Sequence, residues 1–332
     1  ALDEATALRR GATVRREVAV AGTERLPPKW RFASLRVDDL LGLVTTTAEK
    51  ASSSTVTTHR FGGPWTEEKL QALSKYLGFY VTALKGQPFE LIYIDTFAGT
   101  GRCRIRQGAE GERIIDGSAT IALDCSPAFS KYFFIEQKSK HIEELQELIA
   151  QHPNGSRVQL CEGNAANLLW PILKGRNWAR TRGVLFMDPY GLQCTWQMVE
   201  EVAKTKALDV FFLVSLSGLY RQAAVDAKNI DEGKAAALTR FLGTDKWRDL
   251  YVIEQQDFFG DSLVTRAPGY EGMLRFTTDR LRQVFSYVGE PTLLGKANGA
   301  PLFALYFAVA NPSERAKALA AKVSREILSK LA

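Results

Sequence analysis

Four short segments hold residues whose types and spacing can do chemistry, and each follows an apolar run. The first is Asp95-Thr96-Phe97-Ala98-Gly99-Thr100-Gly101, after Leu91-Ile92-Tyr93-Ile94. Glycines at a strand end let the backbone approach a ligand with no Cβ in the way, and Asp95 adds an acid at the same point. The second, Phe134-Ile135-Glu136, places a carboxylate where it can accept hydrogen bonds from both ribose hydroxyls of a nucleoside cofactor. The third, Glu162-Gly163-Asn164-Ala165, offers an amide that can pair with an adenine amino group. The fourth, Asp188-Pro189-Tyr190-Gly191, suits a different task. An exocyclic aromatic amine is a poor nucleophile because its lone pair is delocalised into the ring. A carboxylate and a neighbouring backbone carbonyl that accept its two protons localise that lone pair toward a methyl donor. Pro189 leaves its carbonyl free and stiffens the turn, and Tyr190 can stack on a base. Asp188 either accepts a proton or holds the turn.

These segments need a scaffold that brings strand ends together. Apolar runs at Leu91–Ile94, Tyr132–Ile135, Val158–Leu160, Val184–Met187 and Val210–Val214 alternate with helical stretches such as Ile142–Ala150 and Trp196–Lys204. Short runs of this kind are strands buried on both faces, which means a mostly parallel sheet with helical crossovers. Ahead of the first strand, Leu70, Leu73, Leu77, Tyr80, Val81 and Leu84 recur at helical spacing, with Thr66 as the expected cap and Glu67 and Glu68 in the first turn. Asp116-Gly117-Ser118 opens another helix. After residue 215 the pattern predicts a helix-rich insertion, 216–284. Two strand-like segments follow, Phe285–Leu294 and Leu302–Ala310, close enough to form an antiparallel pair. A last helix is expected from a Ser313 cap, with Leu319, Val323, Ile327 and Leu331 on one face. The expectation is therefore an α/β Rossmann-like fold, mostly parallel, with an antiparallel terminal strand and a helical insertion. Residues 59–332 form the main domain. Residues 1–58 are an N-terminal arm ending in the polar linker Ala51–Thr58.

Ligand choice follows from what the first loop lacks. No third glycine stands at Gly-x-Gly-x-x-Gly spacing, and Arg102, Arg104 and Arg106 intervene before the next helix. That argues against a pyrophosphate, hence against a nicotinamide oxidoreductase, and for a cofactor without phosphates such as S-adenosylmethionine. The three arginines alternate along an expected loop beside the cofactor mouth; they either meet phosphates or form a solvated charged face. Ser215-Leu216-Ser217-Gly218-Leu219-Tyr220 follows the fifth strand and can line the substrate side. Trp178, Trp196 and Trp247 read as core or helix anchors.

Composition narrows the class further. The 332 residues suit one large α/β domain with additions or two modest domains, and 45% apolar with 24% charged residues is globular. No apolar stretch reaches about 18 residues, and the start lacks the order of a signal peptide, so a cytoplasmic protein off the membrane is expected. The net charge of +6 permits an anionic partner, DNA or RNA included, without demanding one. Cys103, Cys125, Cys161 and Cys194 are widely spaced, and there are only 3 histidines, so no metal site is expected and the thiols read as small buried groups. His59, His141 and His152 pair with no Ser or Cys nucleophile at a spacing that supports a hydrolytic triad.

The four motifs in this order resemble the class I S-adenosylmethionine-dependent methyltransferases, and Asp188-Pro189-Tyr190 is similar to the Asp/Asn-Pro-Pro-Tyr/Phe motif of the amino-methylating members. A narrower resemblance is to the three-Cys-motif partner protein family (TcmP). It rests on Phe61-Gly62-Gly63-Pro64-Trp65-Thr66-Glu67-Glu68-Lys69-Leu70, Tyr93–Gly101, Gly117-Ser118-Ala119 and Leu185–Gly191, and covers roughly 59–310. It implies a methyltransferase-like fold and a separate partner protein bearing a three-cysteine motif. In that picture Asp95, Phe97, Ala98, Gly99, Gly101 and Ser118 surround the cofactor, Glu136 holds its ribose, and Asn164 and Ala165 meet its adenine. Asp188, Pro189 and Tyr190 orient an amino group of a nucleic-acid or nucleotide base. The sequence departs from the amino-methyltransferase motif in one respect: it has one proline before the aromatic, and Gly191 after it. The alternative expectation is a non-catalytic nucleoside-binding partner of the three-cysteine protein.

Overall fold

The computed structural model describes residues 63–106, 111–256, 262–297 and 300–328. The expected arm 1–58 and its linker lie outside the described residues, as do His59, Phe61, Gly62 and Leu331. In chain order the elements are α1 (Pro64–Ala83), β1 (Glu90–Asp95), β2 (Arg102–Arg106), β3 (Glu112–Asp116), α2 (Ser118–Leu123), β4 (Lys131–Glu136), α3 (Ser139–Gln151), β5 (Val158–Glu162), α4 (Ala165–Leu173), β6 (Thr181–Met187), α5 (Trp196–Lys204) and β7 (Leu208–Ser215). There follow α6 (Leu216–Gln222), α7 (Glu232–Leu242), β8 (Tyr251–Gln256), β9 (Ser262–Arg266), α8 (Glu271–Val284), β10 (Tyr287–Val288), β11 (Thr292–Ala297), β12 (Ala300–Val309) and α9 (Glu314–Leu328).

The main sheet runs β10-β12-β7-β6-β1-β4-β5, with β11 also on β12. Strands β5, β4, β1, β6 and β7 are parallel, and β12 is antiparallel to β7. This is the expected Rossmann-like α/β arrangement with an antiparallel end. Alternation along each strand divides the core in two. Ile92, Ile94, Phe133, Leu185, Val210 and Phe212 face one side and pack with α4, α5, α7 and α8. Tyr93, Tyr132, Phe134, Val184, Phe186 and Phe211 face the other, with α1, α2 and α9. Chain order leaves β1 toward β4 in one direction and β6 in the other, so the crevice at their carboxyl ends is the switch point where ligands of such sheets bind.

Several local expectations change. Helix α1 begins at Pro64 with Gly63 at the cap position, and Thr66 lies buried inside the first turn. Proline at the first helical position fixes φ and gives up an amide that has no partner there, so it outcompetes Thr66 as the start signal. The arginine loop is a strand: β2 pairs antiparallel with β3, Arg102 opposite Asp116 and Arg106 opposite Glu112. The insertion is not purely helical, because β8 and β9 form a second hairpin. The segment Phe285–Leu294 is broken into β10 and β11, which both pair with β12. On α9, Val323 and Ile327 are buried while Leu319 is exposed. Trp196 and Trp247 are buried, and Trp178 packs against the core. Only Cys194 is fully buried; Cys103, Cys125 and Cys161 are half-buried, and all four are free thiols.

Helix α1 is fastened at the amino ends of the strands. Tyr76 lies against Phe211 and Phe307, and its hydroxyl donates to Asp209 at 2.6 Å. Burial pushes the Asp209 carboxyl up from 3.8 to about 7, against the pull of Tyr76 and Arg182. A folded-state value above the unfolded one means that the native protein holds this proton more tightly. The contribution is therefore full below about pH 4 and is lost as pH rises to about 7. Urea unfolding of wild type and Asp209→Asn between pH 4 and 7 checks this: wild type should lose stability relative to the variant as pH rises, and a relative gain would contradict the assignment.

Candidate functional site at the carboxyl ends of the parallel strands

The loop after β1 is held across the top of three strands by its own backbone. Thr96 donates its amide and its hydroxyl to the Phe186 carbonyl on β6, and the Ala98 amide donates to Ile135 on β4. Gly99 and Gly101 have φ of +62° and +78°, which only glycine adopts without strain. At Gly101 a Cβ would also strike Leu148 at 2.8 Å. The Gly101 carbonyl accepts from the Gly117 amide at 2.7 Å and from Thr120 Oγ1, tying the loop to the start of α2. At Gly99 a Cβ would meet nothing within 4 Å, so this glycine borders open space above the sheet. Phe97 is half-buried against the core, and Ala98 is buried.

Asp95 is fully buried at the end of β1. It accepts hydrogen bonds from the Phe97 amide, Tyr93 and Ser118, yet loss of water dominates and pushes its carboxyl up to about 7. Ser118 thus acts through Asp95, as a donor behind the loop.

Glu136 occupies the next strand end. Its Oε2 accepts from the Gly99 amide at 2.9 Å, and its Oε1 accepts from the Gln137 and Lys138 amides at 2.9 Å each. His141 Nδ1 stands 3.4 Å from Oε1. The carboxylate therefore faces the glycine loop and is held by three backbone donors. Asn164 follows β5, but its Oδ1 caps α4 by accepting from the Ala166 amide at 2.8 Å. The expected pairing to an adenine amino group needs that same oxygen. The cap leaves the Asn164 side-chain nitrogen as a donor, suited to a ring nitrogen instead. Ala165 is buried in the first turn of α4.

At the end of β6, Asp188 is engaged by an ion pair that the sequence motifs did not single out: Lys69 Nζ donates to Asp188 Oδ2. Lys69 comes from α1, its side chain only 10% exposed against 25% for Asp188. Pro189 is buried, whereas Tyr190 is 71% exposed at the rim. Cys103 on β2 lies in the field of Lys69, Asp188 and Asp95, and burial pushes its thiol up to about 11, so it is no thiolate nucleophile. Lys69 stands on the buried face of α1 with Leu73, Tyr76 and Tyr80, at helical spacing. A lysine on an otherwise apolar helical stripe was the signal available to sequence reading. Ser215 is a helix cap, accepting from the Gly218 amide at 3.0 Å, rather than a substrate group.

The structure thus gathers Asp95, Phe97–Gly101, Ser118 and Glu136 around one loop, with Asp188 and Lys69 beside it. Among the described residues no group of three or more His, Cys, Asp or Glu is placed to hold a metal ion, and no helix is long and apolar enough to cross a membrane. No protein-family model and no curated protein matches the chain. Solved structures similar to it include protein LPL1258 from Legionella pneumophila, of the DUF519 family model (13% identity, TM-score 0.46, covering 82% of this chain and 92% of that one). Spermidine synthase from Thermotoga maritima matches at 13% identity and TM-score 0.35, covering 80% and 75%. The cofactor-bound MTB protein Rv0187 matches at 11% and 0.37, covering 83% and 88%. The likeness is one of general α/β architecture.

The two glycines predict different costs. Gly101→Ala combines a left-handed backbone with a 2.8 Å contact and should lose about 2–3 kcal/mol in urea unfolding, whereas Gly99→Ala should lose about 1 kcal/mol. Equal losses would mean that the loop is not clamped as described.

Proposed function

We propose that the chain is an S-adenosylmethionine-dependent methyltransferase acting on an exocyclic amino group of a nucleic-acid or nucleotide base. The observation that carries this reading is the shared crevice of Glu136, Gly99 and Asp188 at the ends of β4, β1 and β6. Glu136, already aimed at the Gly99 amide, suits a ribose diol, and the open space at Gly99 suits a cofactor that lies close to the backbone. Phe97, Ala98 and Gly101 would border its methionine part. The Asn164 amide and the Ala165 turn stand beside the third strand end, where an adenine ring would lie.

S-adenosylmethionine supplies a methyl group on a sulfonium, which departs as a neutral thioether as the C–S electron pair goes to sulfur. The residues of the chain position the acceptor: the Asp188 carboxylate and the Pro189 carbonyl accept from the amine, and Asp188 takes the proton lost once the N–C bond forms. Tyr190, exposed at the rim, is available to stack on the base. Most of the rate advantage would come from positioning and from a carboxylate near the developing positive charge. The net charge of +6 is compatible with an anionic acceptor, and a duplex would have to extrude its base at about a few kcal/mol. Kinship with TcmP, and with it a three-cysteine partner protein, rests on the motif residues. The ion pair on Asp188 favours a second reading, a non-catalytic nucleoside-binding subunit of that partner.

Calorimetry with S-adenosylmethionine and labelled-methyl transfer to oligonucleotides test the proposal together. Glu136→Ala should weaken cofactor binding at least about 10-fold, the worth of a charge-assisted hydrogen bond or more. Asp188→Ala should bind the cofactor like wild type and transfer no methyl group. Normal transfer by Asp188→Ala would remove Asp188 from the mechanism. Cofactor binding without transfer by wild type, restored by the partner protein, would select the second reading.

A further inference from the structure

The pairing of Lys69 with Asp188 poses a chemical problem that its stability does not explain. Both side chains are largely withdrawn from water, and a pair so placed gains little over well-packed apolar residues. An ammonium resting on Asp188 also occupies the carboxylate oxygen that an incoming amine would need as its acceptor. The group facing it is Asp188, and the Cys103 thiol lies in the field of Lys69 as well as of Asp188, Asp95 and Asp116. Asp95 is fully buried and already accepts from Tyr93, Phe97 and Ser118.

We propose that Lys69 reads the acceptor: the incoming amine takes its place on Asp188, and the ammonium donates instead to the ring nitrogen beside that amine. The acceptor class is then an amidine-type edge, an amino group on a carbon doubly bonded to a ring nitrogen, as adenine and cytosine present. This inference rests on the methyltransferase reading above. A lysine is suited to the exchange because three donors sit at the end of a rotatable four-carbon stem. An aliphatic amine has no acceptor atom at that position, and in its charged form it is repelled by Lys69.

The test uses single-stranded oligonucleotides containing one adenine or one 1-deazaadenine, and one cytosine or one 3-deazacytosine, with labelled S-adenosylmethionine. Removing the ring nitrogen should lower wild-type kcat/KM about 10- to 100-fold on the base that is methylated, the range for a hydrogen bond to a charged group. In Lys69→Met the parent base should fall to the level of its deaza analogue, so that the ratio collapses to about one, with cofactor affinity unchanged. Lys69→Gln, which keeps a donor without the charge, should fall in between and serves if Lys69→Met does not fold. A merely structural lysine would lower both bases by the same factor and preserve the ratio, which overturns the inference alone. If wild type binds the cofactor and methylates neither parent base, the base-methylation reading falls and the role of Lys69 falls with it.

Discussion

A sheet whose inner strands are buried on both faces leaves only its strand ends for polar chemistry. Strands β4, β1, β6 and β7 carry apolar side chains alternately into the two halves of the core, with helices covering each. Every charged group of the candidate site accordingly lies at a carboxyl end or on an element that reaches it. Asp95, Glu136 and Asp188 end or follow adjacent strands, so the register of β1 with β4 and β6 sets their separation. The glycine loop then has one course open to it, crossing from the Phe186 carbonyl to Glu136.

Helix α1 links that end of the molecule to the other. Tyr76 anchors it at Asp209 near the start of β7, and Lys69, seven residues earlier and about 10 Å along the axis, arrives at Asp188. Packing at the amino ends of the strands therefore determines where a site charge stands. The site itself balances one ammonium against Asp188 and the neighbouring Asp95, whose burial pushes its carboxyl up to about 7. Proton inventory and positioning are thus set by burial, and the helix that seals one face also provides the cation.

The parallel strands and the residues at their ends were legible in the sequence because short apolar runs and strand-end acids are local signals. Glu136 and Asp188 needed no tertiary information to be singled out. The pairing of Lys69 with Asp188 was hidden for the opposite reason: the two lie 119 positions apart, and Lys69 sits in a motif segment that reads as the start of a helix. Asn164 follows the third strand, but its oxygen is taken by a cap, a local competition that favours the helix start over a ligand. The arginine segment reads as a loop because alternating Arg-x-Arg fits a charged loop as well as a strand, and what makes it a strand is its pairing with Glu112–Asp116. The start of α1 was misread where Thr66 competed with Pro64, and proline chemistry decides that contest.

The proposed cofactor site is one crevice, at the ends of β1, β4 and β5. Amide hydrogen exchange read by mass spectrometry, with and without S-adenosylmethionine, probes that crevice residue by residue. Cofactor binding there should bring new protection in residues 96–101, 136–138 and 163–166, with the cavity of about 340 Å³ between α4 and β5, lined by Phe133, Cys161, Lys174 and Arg176, unaffected. Protection confined to that cavity, or none in folded protein at saturating cofactor, would contradict it.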